Sequence, residues 1–197
     1  MTLPLVLASS SPFRRMLMTN AGLMFEHQPA GIDERVIEAD LIDADPRKVA
    51  LVLSEAKARD VSKSWPGSLV IGSDQTMSLG SRIYHKAGDL GEAKANLLSL
   101  SGRTHRLNSA VVIVRDGDVV WEHVGHADLN MRDLSPAFID RYLDKVGPSV
   151  LSSVGSYQLE GEGIQLFSKI DGDYFTILGL PMLALLEALR KLGQIDG

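Results

Sequence analysis

Residues 5–17 read LVLASSSPFRRML, an apolar run that passes through three serines into a proline-led segment. Leu3–Ala8 predicts a short buried strand, and the helix after it is announced by Ser11 as N-cap with Pro12 at the first helical position. That helix is expected to reach about Ala21, with Gly22 as its stop. Free backbone N–H groups at such a helix start favour an anion. Arg14 and Arg15 fall in the first turn, where the helix macrodipole makes positive charge unfavourable by roughly 0.3–1 kcal/mol each. A bound phosphate would reverse that penalty; without one, the pair reads as solvated arginines on an exposed face.

Outward from this unit the pattern alternates. A second helix opens at Asp45-Pro46 and places Val49, Val52, Leu53 and Ala56 at helical spacing, with Lys57 next round. Ser68–Gly72 (SLVIG) reads as a compact strand, with Asp74 just past its end. Asp89 and Glu92 form a capping box for a helix ending near Ser101. Val111–Val114 and Val119–Trp121 flank Asp116-Gly117, a dipeptide suited to a two-residue hairpin turn. Ser135-Pro136 starts a helix that Gly147 ends, and Pro181 starts the last, with Met182, Leu185, Leu186 and Leu189 facing inward. Hairpin and strand-helix segments together predict an α/β fold with a mixed sheet.

The chain has 197 residues, 45% hydrophobic and 23% charged, the balance of an ordinary globular protein. A chain of this size buries about 70% of its unfolded surface and needs no covalent staples. No repeat or low-complexity linker divides residues 1–197, so a single domain, formed as two lobes around a cleft, is expected. The absence of cysteine excludes disulfides, thiol nucleophiles and thiolate zinc sites. The Leu3–Ala8 run lacks a basic flank and the length of a signal core, and no stretch has the length of a membrane span, so a cytoplasmic protein is expected. A net charge of −5 disfavours a nucleic-acid groove but leaves a small phosphorylated ligand open.

Several residue groups have the chemistry for a site. Asp74 in Gly72-Ser73-Asp74-Gln75, behind a flexible glycine at a strand end, has the placement of a catalytic carboxylate; taken singly it is equally a turn residue. Asp33-Glu34 offers oxygen to a divalent ion such as Mg²⁺, which takes one or two carboxylates plus substrate phosphate; alone the pair reads as a solvated loop. Lys57 and Lys86 gain interest only in this company. His123 and His126, three apart in a strand, are expected on opposite faces, against a zinc site. Gly161-Glu162-Gly163 lacks the third glycine of a dinucleotide fingerprint, and no Walker-type loop is present.

In order along the chain, LASSSPFRR (7–15), Asp33-Glu34, SEAKA (54–58), GSDQ (72–75), His85-Lys86, LSGRTH (100–105), SYQLEGEGI (156–164) and ILGLP (177–181) resemble the Maf family of nucleotide pyrophosphatases. The resemblance covers nearly the whole chain; Ala87 departs from it, standing where the family usually has proline. It implies a Maf-like, inosine-triphosphatase-like mixed sheet flanked by helices, and cleavage of a nucleoside triphosphate to the monophosphate and pyrophosphate. It further implies Asp74 as the base for the attacking water, and Ser9, Arg14, Arg15, Lys57 and Lys86 on the phosphates. A divalent cation (Mg, Mn or Co) is implied, with Glu34 as its ligand.

Within the family, Phe13, Gln75 and Glu160 match positions of a subgroup resembling the 7-methyl-GTP pyrophosphatases. N7-methylated guanine is cationic, and a cation is attracted by an aromatic face and by a carboxylate. By themselves, Phe13 is equally a core residue and Glu160 a solvated loop acid. The resemblance also makes a homodimer an expectation. The alternatives are a pyrophosphatase for UTP, dTTP or other modified nucleotides, and a nucleotide-binding regulator of septum formation.

Overall fold

A computed structural model describes residues 2–41 and 44–196. Its strands are β1 (Leu5–Ala8), β2 (Glu26–His27), β3 (Leu69–Leu79), β4 (Arg82–Tyr84), β5 (Thr104–Arg115), β6 (Asp118–Met131) and β7 (Phe167–Asp171). Its helices are α1 (Pro12–Asn20), α2 (Glu34–Ala39), α3 (Pro46–Ser62), α4 (Leu90–Leu100), α5 (Pro136–Val146), α6 (Tyr174–Ile177) and α7 (Met182–Lys191). Among the described residues the strands form one seven-stranded sheet in the order β2-β1-β3-β5-β6-β7, with β4 paired to β3. The sheet is mixed, because β1 runs parallel to β2 and β3 whereas β4 and β7 pair antiparallel to β3 and β6. The expected α/β mixed sheet with flanking helices is therefore what forms.

The chain divides into two compact units: residues up to Gln75 with Asn108–His126 and from Asp173 onward, and Thr76–Leu107 with Ala127–Gly172. The first unit has three layers, dictated by strand alternation. Leu5, Leu7, Leu69, Ile71, Val111 and Ile113 face one way and pack with Leu17 of α1 and Leu185 and Leu189 of α7. Val6, Ala8, Val70, Val112 and Val114 face the other way, against Ala58 and Val61 of α3. In the second unit α4 and α5 bury Leu97, Leu100, Ile139 and Leu143, and an ion pair of 2.6 Å joins Lys94 to Asp140.

Local signals account for the element ends. Ser11 accepts a hydrogen bond from the Arg14 amide and Ser135 from that of Phe138, each before a proline at the helix start. Asp116 and Gly117 have φ of 50° and 88°, the paired positive values of a type I′ turn, so the expected hairpin forms. The capping box at α4 is shifted: Asp89 caps the Glu92 amide, but Glu92 reaches back to the amide of Gly88. Two expectations change. The buried stripe of α3 is Val49, Ala50, Leu53, Ser54, Lys57, Ala58 and Val61, with Val52 and Ala56 only half-buried, because Ser54 and Lys57 find polar partners inside. The strand expected over Ser68–Gly72 runs on to Leu79, so Asp74 lies within β3 and not past its end.

Candidate active site

GSDQ sits mid-strand, and alternation splits it between the two faces of β3. Gly72 and Asp74 face α3. A Cβ on Gly72 would lie 2.0 Å from the carbonyl oxygen of Ser54 and 2.9 Å from the Cβ of Ala58. Glycine is thus required here for close packing, and not for the flexibility expected of it. One turn further along α3, Lys57 reaches Asp74: Nζ lies 2.6 Å from Oδ1. The same Nζ lies 3.0 Å from Oε1 of Glu34, the first residue of α2. Asp33 is not part of the cluster, because its carboxylate is used as the α2 N-cap on the amides of Arg35 and Val36. The Lys57 and Asp74 side chains are 10% and 12% exposed, so this pair is desolvated, whereas that of Glu34 is 51% exposed and carries the cluster to solvent. Removing Lys57 would strand the Asp74 carboxylate, at about 3–5 kcal/mol, whereas Lys57 keeps Glu34 if Asp74 is changed.

Ser73 and Gln75 face the opposite way. The Ser73 hydroxyl donates to the carbonyls of Ala110 at 2.7 Å and Gly179 at 3.0 Å. Gln75 Nε2 lies 2.8 Å from Ser109 Oγ, 3.1 Å from the carbonyl of Thr176 and 3.0 Å from that of Ile177. The amide donors of Gln75 are therefore spent on Ser109 and α6. Arg14 donates through Nε to the Gly179 carbonyl at 2.8 Å and through Nη1 to the Ser73 carbonyl at 2.8 Å. Nη1 also reaches Ser9 Oγ at 3.4 Å. Burial pushes the Arg14 guanidinium below its usual value, and the nearby carboxylates of Asp74 and Glu34 oppose that shift. An arginine stays charged under both influences.

In the first unit the structure thus joins Glu34, Lys57 and Asp74 by ion pairs and Arg14 to Ser9 by a hydrogen bond, with Arg14 close enough to feel the charges of Asp74 and Glu34, whereas Gln75 bonds Ser109 and α6. Arg15 goes elsewhere, lying 3.0 Å from His27 Nε2 on β2. Phe13 is half-buried and joins neither hydrophobic cluster of that unit. Lys86 and Glu160 belong to the second unit and both are exposed, Lys86 after β4 and Glu160 in the turn before Gly161. Ala87, in the place of the family's usual proline, is turned inward at 5% exposure. His123 and His126, with Gly125, Asp173 and Thr176, line one hollow of about 160 Å³. None of the Asp74 cluster lines that hollow.

A family model described as Maf-like protein matches residues 4–192. The chain belongs to this family. It is 67% identical over 199 residues to a protein of Rhizobium etli named 7-methyl-GTP pyrophosphatase, covering 100% of both chains. A Rhizobium meliloti protein of the same name is 62% identical, over 98% of each chain. A Caulobacter vibrioides protein named nucleoside triphosphate pyrophosphatase is 51% identical over 98% of this chain and 97% of its own. A solved nucleoside-triphosphatase / dITP/XTP pyrophosphatase from Mycobacterium abscessus aligns with a TM-score of 0.45 and 16% identity, over 97% of this chain and 96% of that one. Sequence reasoning on the Maf-like segments missed Ser73, Ser109, Thr176 and Gly179. The alternation of GSDQ is the available signal for Ser73, and ILGLP carries no local signal of a role for Gly179.

Proposed function

We propose that this chain hydrolyses nucleoside triphosphates between the α and β phosphates, releasing the monophosphate and pyrophosphate, with 7-methyl-GTP as preferred substrate. The observation that carries the reading is the convergence of Glu34 and Asp74 on Lys57 Nζ, beside the Arg14 guanidinium. The 67% identity to a protein named 7-methyl-GTP pyrophosphatase supports the choice of substrate.

Two carboxylate oxygens already meeting at one cationic nitrogen are the hard donor set that a divalent ion takes. Among the described residues no group of three or more His, Cys, Asp or Glu side chains is placed to hold a metal. Two carboxylates completed by substrate phosphate and water match the habit of Mg²⁺, with Mn and Co as its substitutes. Glu34 and Asp74 would hold such an ion, which would acidify water and neutralise phosphate charge.

The chain's own groups do the rest. Asp74, released by Lys57 as substrate arrives, accepts the proton of the attacking water on its carboxylate. Three of the five Arg14 donors are used inside the protein, leaving the Nη2 pair for phosphate oxygens. Ser9 Oγ accepts from the Ser11 amide, which leaves its own hydrogen to donate to phosphate. Lys57 moves from carboxylate to phosphate as substrate arrives and offsets charge on the leaving pyrophosphate. Phe13 stacks on the cationic base, and Gln75 Oε1 meets its edge. A cytoplasmic location fits a cysteine-free chain acting on the nucleotide pool, and the homodimer implied by the family resemblance is checked by sedimentation.

The test is kcat/KM for 7-methyl-GTP, GTP, UTP and dTTP on the pure protein. A cation–π contact of about 0.5–2 kcal/mol gives Phe13 alone roughly a two- to thirtyfold preference for the methylated base. A higher value for UTP or dTTP would overturn the substrate assignment and leave pyrophosphate release standing.

A further inference from the structure

The contacts around Arg14 close into a ring. Its Nε bonds the Gly179 carbonyl, its Nη1 bonds the Ser73 carbonyl, and the Ser73 hydroxyl bonds the same Gly179 carbonyl at 3.0 Å. Ser73 therefore grips the guanidinium twice, once by its own backbone oxygen and once through Gly179. We propose that Ser73 is a positioning residue for phosphate binding, holding Arg14 through the Gly179 carbonyl; this rests on the reading of Arg14 as a phosphate ligand.

Three features make the ring specific. Ser73 is fully buried, so its hydroxyl has no water to turn to and its bonds decide its rotamer. The single Ser73 hydroxyl proton is shared between the Ala110 carbonyl at 2.7 Å and the Gly179 carbonyl at 3.0 Å, so the hydroxyl also ties Gly179 to β5. Gly179 has a φ of +95°, a conformation L side chains rarely adopt, and a Cβ there would stand 3.4 Å from Arg14 Nη2. The backbone is thus set in the one conformation that turns its carbonyl to the guanidinium. With Nε and Nη1 committed, the Nη2 edge is fixed in direction before any phosphate arrives, which lowers the ordering cost of binding.

A double-mutant cycle tests this, read as the dissociation constant of inorganic pyrophosphate by titration calorimetry. Ser73→Ala is expected to weaken pyrophosphate about five- to tenfold in the otherwise wild-type chain and less than twofold in an Arg14→Ala background, because the ring then has nothing to hold. Equal weakening in both backgrounds, or none in either, overturns the proposal, since a merely structural serine acts independently of Arg14. If Ser73→Ala does not fold, Ser73→Cys, which keeps the volume with a weaker donor, takes its place with the same expected asymmetry. Wild-type protein that binds no pyrophosphate refutes the phosphate reading itself, and that result is seen before any variant is made.

Discussion

Gly72→Ala probes the link between fold and chemistry. The added methyl would lie 2.0 Å from the Ser54 carbonyl oxygen and 2.9 Å from the Ala58 amide nitrogen, both backbone atoms of α3. Carbon and oxygen tolerate about 3.2 Å, so α3 must retreat from β3 by about 1 Å or the strand must bend. Overpacking of this kind costs about 1–3 kcal/mol. For a chain of this size that is a fall in Tm of roughly 2–12 °C. The same retreat moves Lys57 away from Asp74, where Nζ and Oδ1 now stand 2.6 Å apart. A displacement of about 1 Å at a catalytic group can cost about a hundredfold. The expected result is therefore a lower Tm with a tenfold or greater drop in kcat/KM, measured by calorimetry and by pyrophosphate release at a temperature where the variant is fully folded. A Gly72→Ala protein with wild-type Tm and wild-type turnover would refute the argument that this glycine sets the helix-to-strand distance.

Turnover is expected to vanish on exhaustive chelation and return on adding Mg²⁺, Mn²⁺ or Co²⁺; undiminished rates in a protein shown to be metal-free contradict the Glu34 and Asp74 assignment. Phe13→Leu is expected to narrow the preference for 7-methyl-GTP over GTP by about two- to thirtyfold, and Glu160→Gln to narrow it further, with little change in pyrophosphate affinity; full retention of the preference removes both residues from base reading. In the second unit, burial holds the His105 imidazole at about 4, against 6.5 ordinarily, and its Nε2 lies 2.7 Å from the Tyr157 hydroxyl. The unfolded chain takes up that proton first, so this contribution to stability is full above pH 6.5 and is lost as the pH falls toward 4. It amounts to about 3 kcal/mol. The Tm of His105→Gln is expected to vary less over that range than the wild type does, and parallel curves would show that His105 carries none of the dependence.

Local signals in the sequence were enough for most of the fold. Ser11-Pro12, Ser135-Pro136 and Asp116-Gly117 each act within a few residues, and each formed as expected. What was not legible depends on contacts far apart in the chain. β3 extends through polar GSDQTMS because its residues find partners brought in by the fold: Lys57 for Asp74, and the carbonyls of Ala110, Thr176 and Gly179 for Ser73 and Gln75. Apolar patterning ends at Gly72, so the strand appeared to end there too. Lys57 was read as a phosphate ligand from its motif, yet its pairing with both Asp74 and Glu34 needs α2 and α3 in place. Two lobes were expected, but not where the units divide, since β3, β5 and β6 each contribute residues to both. No linker marks such a boundary.

The most direct test of the central claim is the product balance from 7-methyl-GTP, read by ion-exchange chromatography with wild-type protein and with Asp74→Asn. The account predicts one 7-methyl-GMP and one pyrophosphate per triphosphate consumed by the wild type. It predicts at least a hundredfold slower turnover by a folded Asp74→Asn chain, whose volume is nearly unchanged. Release of 7-methyl-GDP and orthophosphate, or near-normal turnover by Asp74→Asn, would contradict it.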